Sequence, residues 1–107
     1  MKVIFKRPAE TVGHIEDIPN TLEALQRLVD GNIEIVRLDR NNVAIVNEDG
    51  LWQKLPYNCS LYVTRGESKV FTTVLVGNIG VAGLDGENFT DVKMSLEEWR
   101  NCFGWQK

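Results

Sequence analysis

Five kinds of residue in this 107-residue chain could carry chemistry: one histidine, two cysteines, a spaced run of glycines, a carboxylate cluster and three tryptophans. His14 is the only side chain that titrates near neutrality without help. To catalyse anything it needs a carboxylate or nucleophile beside it. Of its neighbours, Glu16 would share its face at the period-two geometry of a strand, and Asp17 would not. A surface position in a hairpin explains the same residue. Cys59 lies in Leu55-Pro56-Tyr57-Asn58-Cys59-Ser60, whose composition reads as a loop. Its thiol becomes a nucleophile only when a base, a cation or a helix N-terminus stabilises the thiolate. His14 is the one imidazole available, so a small hydrolase or transferase built on Cys59 and His14 is the enzymatic alternative.

The other sets are weaker. Two cysteines and one histidine without further ligands at suitable spacing do not make a zinc set, and no metal or cofactor is expected. Gly77, Gly80, Gly83 and Gly86 recur every third residue. They lack the Lys-Ser/Thr pair of a phosphate loop and the Gly-x-Gly of a dinucleotide fingerprint, so they read as a strand with a bend and then a turn. Asn47-Glu48-Asp49-Gly50 offers too few oxygens for calcium, and its Asp-Gly pair reads as a hairpin tip. Trp99 reads as the anchor of a C-terminal helix, with Trp52 and Trp105 half exposed; aromatics of this kind also suit an interface, and a homodimer is possible.

Composition bounds the classes. Lys and Arg total 12 against 15 Asp and Glu, a formal charge of −3. With 43% hydrophobic and 25% charged residues the chain has the make-up of a folded domain, expected to span residues 1–107 as one unit. The acidic balance argues against nucleic acid as a partner, although Lys2, Lys6, Arg7, Arg37 and Arg40 could form a local basic face. No apolar run approaches the roughly 20 residues that span a bilayer. Met1 to Arg7 has no apolar leader core, so two free thiols in a reducing cytoplasm are expected.

These residues must be positioned by elements that the apolar pattern locates. Lys2–Arg7 reads as a strand, interrupted at Pro8, with Thr11–Ile15 returning as a hairpin. Asn20 can cap a helix with Glu23 as capping-box partner. Leu22, Leu25, Leu28 and Val29 form its apolar stripe, and Gly31 its stop. Ile33–Leu38, Val43–Val46 and Leu51–Leu55 read as a three-stranded antiparallel meander with turns at Asp39–Asn42 and Asn47–Gly50. Tyr57–Val63 fits either a short helix or a strand, Arg65–Lys69 is polar, and Val70–Val76 has the continuous apolar run of a central strand. Ser95 and Glu98 form a second capping box, opening a helix that Gly104 would end. The expected fold is α+β: a mainly antiparallel sheet of about five to six strands, with an N-terminal hairpin, a central meander and a late central strand. One amphipathic helix covers it, and a short C-terminal helix follows.

Asn20–Gly31 followed by Ile33–Val36, then Ile45–Gly50 with Leu55–Asn58, then Val76–Gly83 followed by Phe89-Thr90, together resemble the domain-of-unknown-function family 3846. The resemblance covers nearly the whole chain in order and is thinnest from Tyr57 to Phe71. It implies a small protein of phages, plasmids and other mobile elements in a bacterial cytoplasm, and it brings no catalytic residue with it. The expected function is therefore a non-catalytic binding protein that engages a host protein or a small metabolite. Its expected site is the loop neighbourhood of Asn47, Glu48, Tyr57 and Asn58, with Arg37 as an anion partner, since polar loop positions carry function more often than cores do.

Overall fold

A computed structural model describes residues 1–103. Gly104 and Trp105, read above as a helix stop and a half-exposed aromatic, lie outside the described residues. The elements in chain order are β1 (Lys2–Lys6), β2 (His14–Asp17), α1 (Leu22–Val29), β3 (Ile33–Arg37), β4 (Asn42–Asn47), β5 (Tyr57–Arg65), β6 (Ser68–Val76), β7 (Ile79–Asp85), β8 (Asn88–Thr90) and α2 (Leu96–Phe103). The fold is α+β. A six-stranded sheet runs in the order β2-β1-β7-β4-β3, with β8 pairing β7, and β5–β6 forms a separate two-stranded sheet. Every pairing is antiparallel.

Alternation in β1 divides the interior. Val3 joins Leu25, Val29, Val43, Ile45 and Ala82 under α1. Ile4 joins Ala44, Val46, Cys59, Leu61, Val81 and Trp99 on the opposite face, beneath the β5–β6 hairpin and α2. An eight-residue helix such as α1 is too short to persist alone. Burying Leu25 and Val29 stabilises it by roughly 3–6 kcal/mol at the usual value for large aliphatic side chains. Leu22, expected in that stripe, is 54% exposed. Its angular position is right, but burial also needs an element beneath that turn, and β3, β4 and β7 take up Leu25 and Val29 further along.

Five expectations change. Leu51–Leu55 is not a third meander strand. The Asn47 side-chain oxygen accepts the Asp49 N–H at 2.7 Å, and Gln53 N–H to Asp49 O and Leu55 N–H to Gly50 O wind the segment into tight turns. Val70–Val76 is not central: it belongs to β6, which pairs only with β5 among the described residues. The late central strand is β7, the glycine-bearing run, flanked by β1 and β4. Its Gly80 is what lets α1 sit close, since a Cβ there would lie 2.9 Å from Leu28 Cδ2. The second strand of the N-terminal hairpin starts at His14 rather than Thr11, because Gly13 turns with φ +98° where a side chain would meet Phe5 O. At α1 the cap is Thr21, whose hydroxyl accepts the Ala24 N–H, while Asn20 donates to Phe89 O. The left-handed residue that ends the helix is Asp30 at φ 60°. Gly31 is needed for room, because a Cβ there would fall 2.7 Å from Asn47 Nδ2.

Tyr57–Val63 resolves as strand within β5, and the capping box of α2 forms with reciprocal 3.1 Å bonds between Ser95 and Glu98. Trp99 is wholly buried, and its indole donates to Val12 O at 3.0 Å. No helix among the described residues is long and apolar enough to cross a membrane.

Candidate functional site

Of the residues singled out for binding, two are consumed by the fold. Asn47, at the end of β4, donates to Val29 O and Asp30 O at 3.1 and 3.2 Å and so ties off the C-terminus of α1. Asn58 donates to Lys6 O and Gly77 O at 2.9 and 2.7 Å and accepts from Lys6 Nζ at 2.6 Å. Both asparagines are buried, and such amides hold backbone groups that would otherwise lack partners. Glu48 is exposed, its backbone N–H bonded to Asn32 O. Tyr57 is exposed and shares a 2.7 Å hydrogen bond with Ser60. Arg37 pairs with Val43, whereas Asn47 pairs with Ile33 at the other end of the same hairpin. Four residues of strand put Arg37 roughly 13 Å along the hairpin from Asn47.

The Cys59–His14 arrangement is not made. Cys59 packs in the core on the Ile4 face, and burial pushes its thiol up to about 11. His14 pairs with Phe5, on the other side of the sheet. Both its ring nitrogens are taken at 2.8 Å, Nδ1 by Glu10 and Nε2 by Glu16. Nor do the basic residues form one face: Lys6 is buried among Asn58, the Cys59 thiol and the Phe103 ring, and burial lowers its pKa.

What the structure does bring together is a cleft of about 370 Å³ between α1 and the β1–β2 hairpin. Phe5, Ile18, Pro19, Ala24 and Leu28 give its apolar walls, and Arg7, Glu16, Arg27 and Asn78 its polar ones. Each side chain arrives for a local reason. Phe5 points there because β1 alternates and Val3 faces the same helix. Arg27 follows from the polar side of α1, and Asn78 is fixed by donating to Leu28 O at 3.2 Å, which leaves its own side-chain oxygen to accept. Ile18 is anchored through its N–H to Met1 O at 2.9 Å.

At the mouth lies an ionic cluster. His14 meets the Phe5 ring edge-on at 5.8 Å, and the Arg7 guanidinium lies over the same ring at 5.0 Å. Arg7 also pairs with Glu10 at 3.6 Å. Donating hydrogen bonds to Glu16 and Glu10 raises the His14 pKa, and accepting from His14 lowers that of Glu10. Two carboxylates thus stand against His14 and Arg7, which leaves the cleft's charge to Arg27. Arg27 makes no hydrogen bond or ion pair among the described residues. A cleft with apolar walls, a spare cation and a spare amide oxygen can hold a small molecule by one anionic end.

Sequence reasoning reached His14, Glu16 and Arg7 but not Glu10, Arg27 or Asn78. Glu10 sits in the β1–β2 connection beside Arg7 and His14, whereas Arg27 and Asn78 come from separate segments that only the placing of α1 over β7 makes neighbours. Among the described residues no group of three or more His, Cys, Asp or Glu is arranged to hold a metal ion.

A family model described as a domain of unknown function (DUF3846) matches residues 1–104. No curated protein matches the chain, and no solved structure does.

Proposed function

The chain belongs to the DUF3846 family, and we propose that it is a binding protein whose ligand is a small molecule with an anionic group, seated in the cleft between α1 and the β1–β2 hairpin. The observation that carries this reading is Arg27, a guanidinium on an apolar cleft with no hydrogen-bond or ion-pair partner among the described residues. An anionic oxygen there would gain a charge-assisted hydrogen bond, and an apolar body would cover Phe5 and Leu28. No catalytic step is invoked: the imidazole is held by two carboxylates and the buried thiol is far above neutrality in pKa. The phage and plasmid setting that the family resemblance implies fits a role in which the protein sequesters or senses a metabolite in a bacterial cytoplasm.

A thermal-shift screen with a panel of small carboxylates, phosphates and nucleotides tests this. Binding at 100-fold above Kd stabilises a protein by roughly 2.7 kcal/mol, a shift that is readily seen. The expected result is stabilisation by an anionic member, lost in Arg27→Ala, a variant whose own urea midpoint is unchanged because the side chain is exposed. A panel without effect, or binding indifferent to Arg27→Ala, overturns the reading.

A further inference from the structure

A second concavity, of about 260 Å³, lies on the other side of the sheet between β3 and β6. We propose that it is the docking site for an extended segment of a partner polypeptide in which apolar residues alternate with lysine or arginine. This proposal is independent of the cleft under α1.

Three features of the groove support it. Both strands along it are terminal. β3 pairs only with β4, and β6 only with β5, among the described residues, so each leaves one edge of backbone donors and acceptors unpaired. Such an edge accepts an added strand unless something blunts it. Next, the turn after β4 holds two large apolar side chains out over the groove: Leu51 is 76% exposed and Trp52 88%. They are not on a loose loop. The Asn47 side chain caps the turn, Lys54 closes it at φ 55°, and a Cβ on Gly50 would already lie 2.8 Å from Val76. A rigid exposed tryptophan beside a half-exposed Val74 is the kind of anchor that dominates binding energy at interfaces. Finally, among the described residues the only charged side chains lining the groove are Glu34 and Glu48, and neither has an ion pair there. Two unpaired carboxylates over an apolar bed select a basic segment over an acidic one, and the chain's net charge of −3 acts in the same sense.

The test is selection of random decapeptides displayed on phage against the full chain, counter-selected on Trp52→Ala. The expected result is enrichment of peptides alternating apolar and basic residues. A synthetic peptide of the consensus should bind at least tenfold more weakly to Trp52→Ala and to Glu34→Lys/Glu48→Lys, and more weakly as salt rises. Amide signals of residues 33–37 should move and slow their exchange on binding, as strand addition requires. All three side chains are exposed or lie at the surface, and a circular dichroism spectrum confirms that the variants fold. No enrichment, an acidic consensus, or affinity unmoved by Trp52→Ala overturns the proposal. So does a concentration-dependent dimer in sedimentation that Trp52→Ala abolishes, since a second copy would then be what covers the groove.

Discussion

The Lys6 ammonium and the Asn58 side-chain oxygen meet at 2.6 Å in the interior, joining the first strand of the sheet to the hairpin that crosses it. The same amide donates to Lys6 O and to Gly77 O, so one side chain satisfies a buried cation and two backbone carbonyls. Asn58→Leu keeps the branching and the number of side-chain heavy atoms and removes all three partners. Each unsatisfied buried group costs about 1–3 kcal/mol, so the loss should be about 4 kcal/mol. Lys6→Met removes the cation but leaves only one amide oxygen without its donor, and should cost less than half as much. Urea denaturation of the two variants and their combination measures this. A double variant no worse than Asn58→Leu alone is the expected signature of a shared bond.

His14 gives the protein a dependence on pH whose sign is fixed by its two carboxylate partners. Hydrogen bonds that it donates to Glu16 and Glu10 raise its pKa above the ordinary 6.5, so the stability it contributes is complete below pH 6.5 and is lost as pH rises through the raised value. Glu10 is lowered from 4.5, chiefly by its bond to His14, so its contribution is complete above pH 4.5 and is lost as pH falls through the lowered value. The cluster should therefore be most effective between pH 4.5 and 6.5. All three side chains reach solvent, which keeps the effect modest. Urea midpoints of wild type minus His14→Gln, taken across pH, should show a hump in that window. A flat difference would mean that the two short contacts to His14 are not held in solution.

Helix α1 separates two capping assignments. Asn20 and Thr21 are adjacent and both are good caps by type, but the hydroxyl of Thr21 is what accepts the Ala24 N–H, at 3.1 Å. Thr21→Ala should cost about 1 kcal/mol. Asn20→Ala loses only an exposed bond to Phe89 O and should cost distinctly less. Chemical denaturation of the two variants decides between them, and the reverse order would restore Asn20 as the cap.

That pair shows where the sequence was legible and where it was not. Apolar period placed β1, α1, the β3–β4 hairpin and α2, because burial of one face leaves its spacing in the chain. The Ser95–Glu98 box was equally plain, since both partners lie within one turn. Spacing could not say which neighbour an apolar run meets. Val70–Val76 looked central and lies in a two-stranded sheet, whereas the glycine-bearing Ile79–Asp85 is the true centre. The Asp49-Gly50 hairpin signal lost to a contact only two positions long, the Asn47 amide oxygen accepting the Asp49 N–H and folding the chain back on itself. Asn47 and Asn58 read as exposed loop side chains because an amide carries no mark of its burial. The candidate cleft was hidden for the same reason: Arg7, Arg27 and Asn78 are far apart in the chain, and an exposed arginine on a helix resembles any other.

The glycine spacing yields the sharpest prediction. A Cβ on Gly83 would sit 2.2 Å from Asp91 O and 3.0 Å from Lys93 Cγ. The Asp91 backbone cannot simply withdraw. Its side chain accepts the Lys2 N–H at 2.8 Å, Val92 N–H reaches Lys2 O at 2.8 Å, and Lys93 N–H reaches the buried Asn42 side chain at 2.7 Å. Gly83→Ala must therefore either break this strap or displace the central strand, and should cost about 3 kcal/mol or more, as overpacking of a fixed site does. Gly66→Ala is the control. Its φ of +62° is unfavourable for alanine, but nothing lies within 4 Å of the added carbon, so about 1 kcal/mol is expected. Urea midpoints at unchanged m-value compare the two directly. Equal losses would mean that the Asp91–Lys93 strap yields freely, and that the glycines of β7 are there for backbone freedom and not to let neighbouring chain approach.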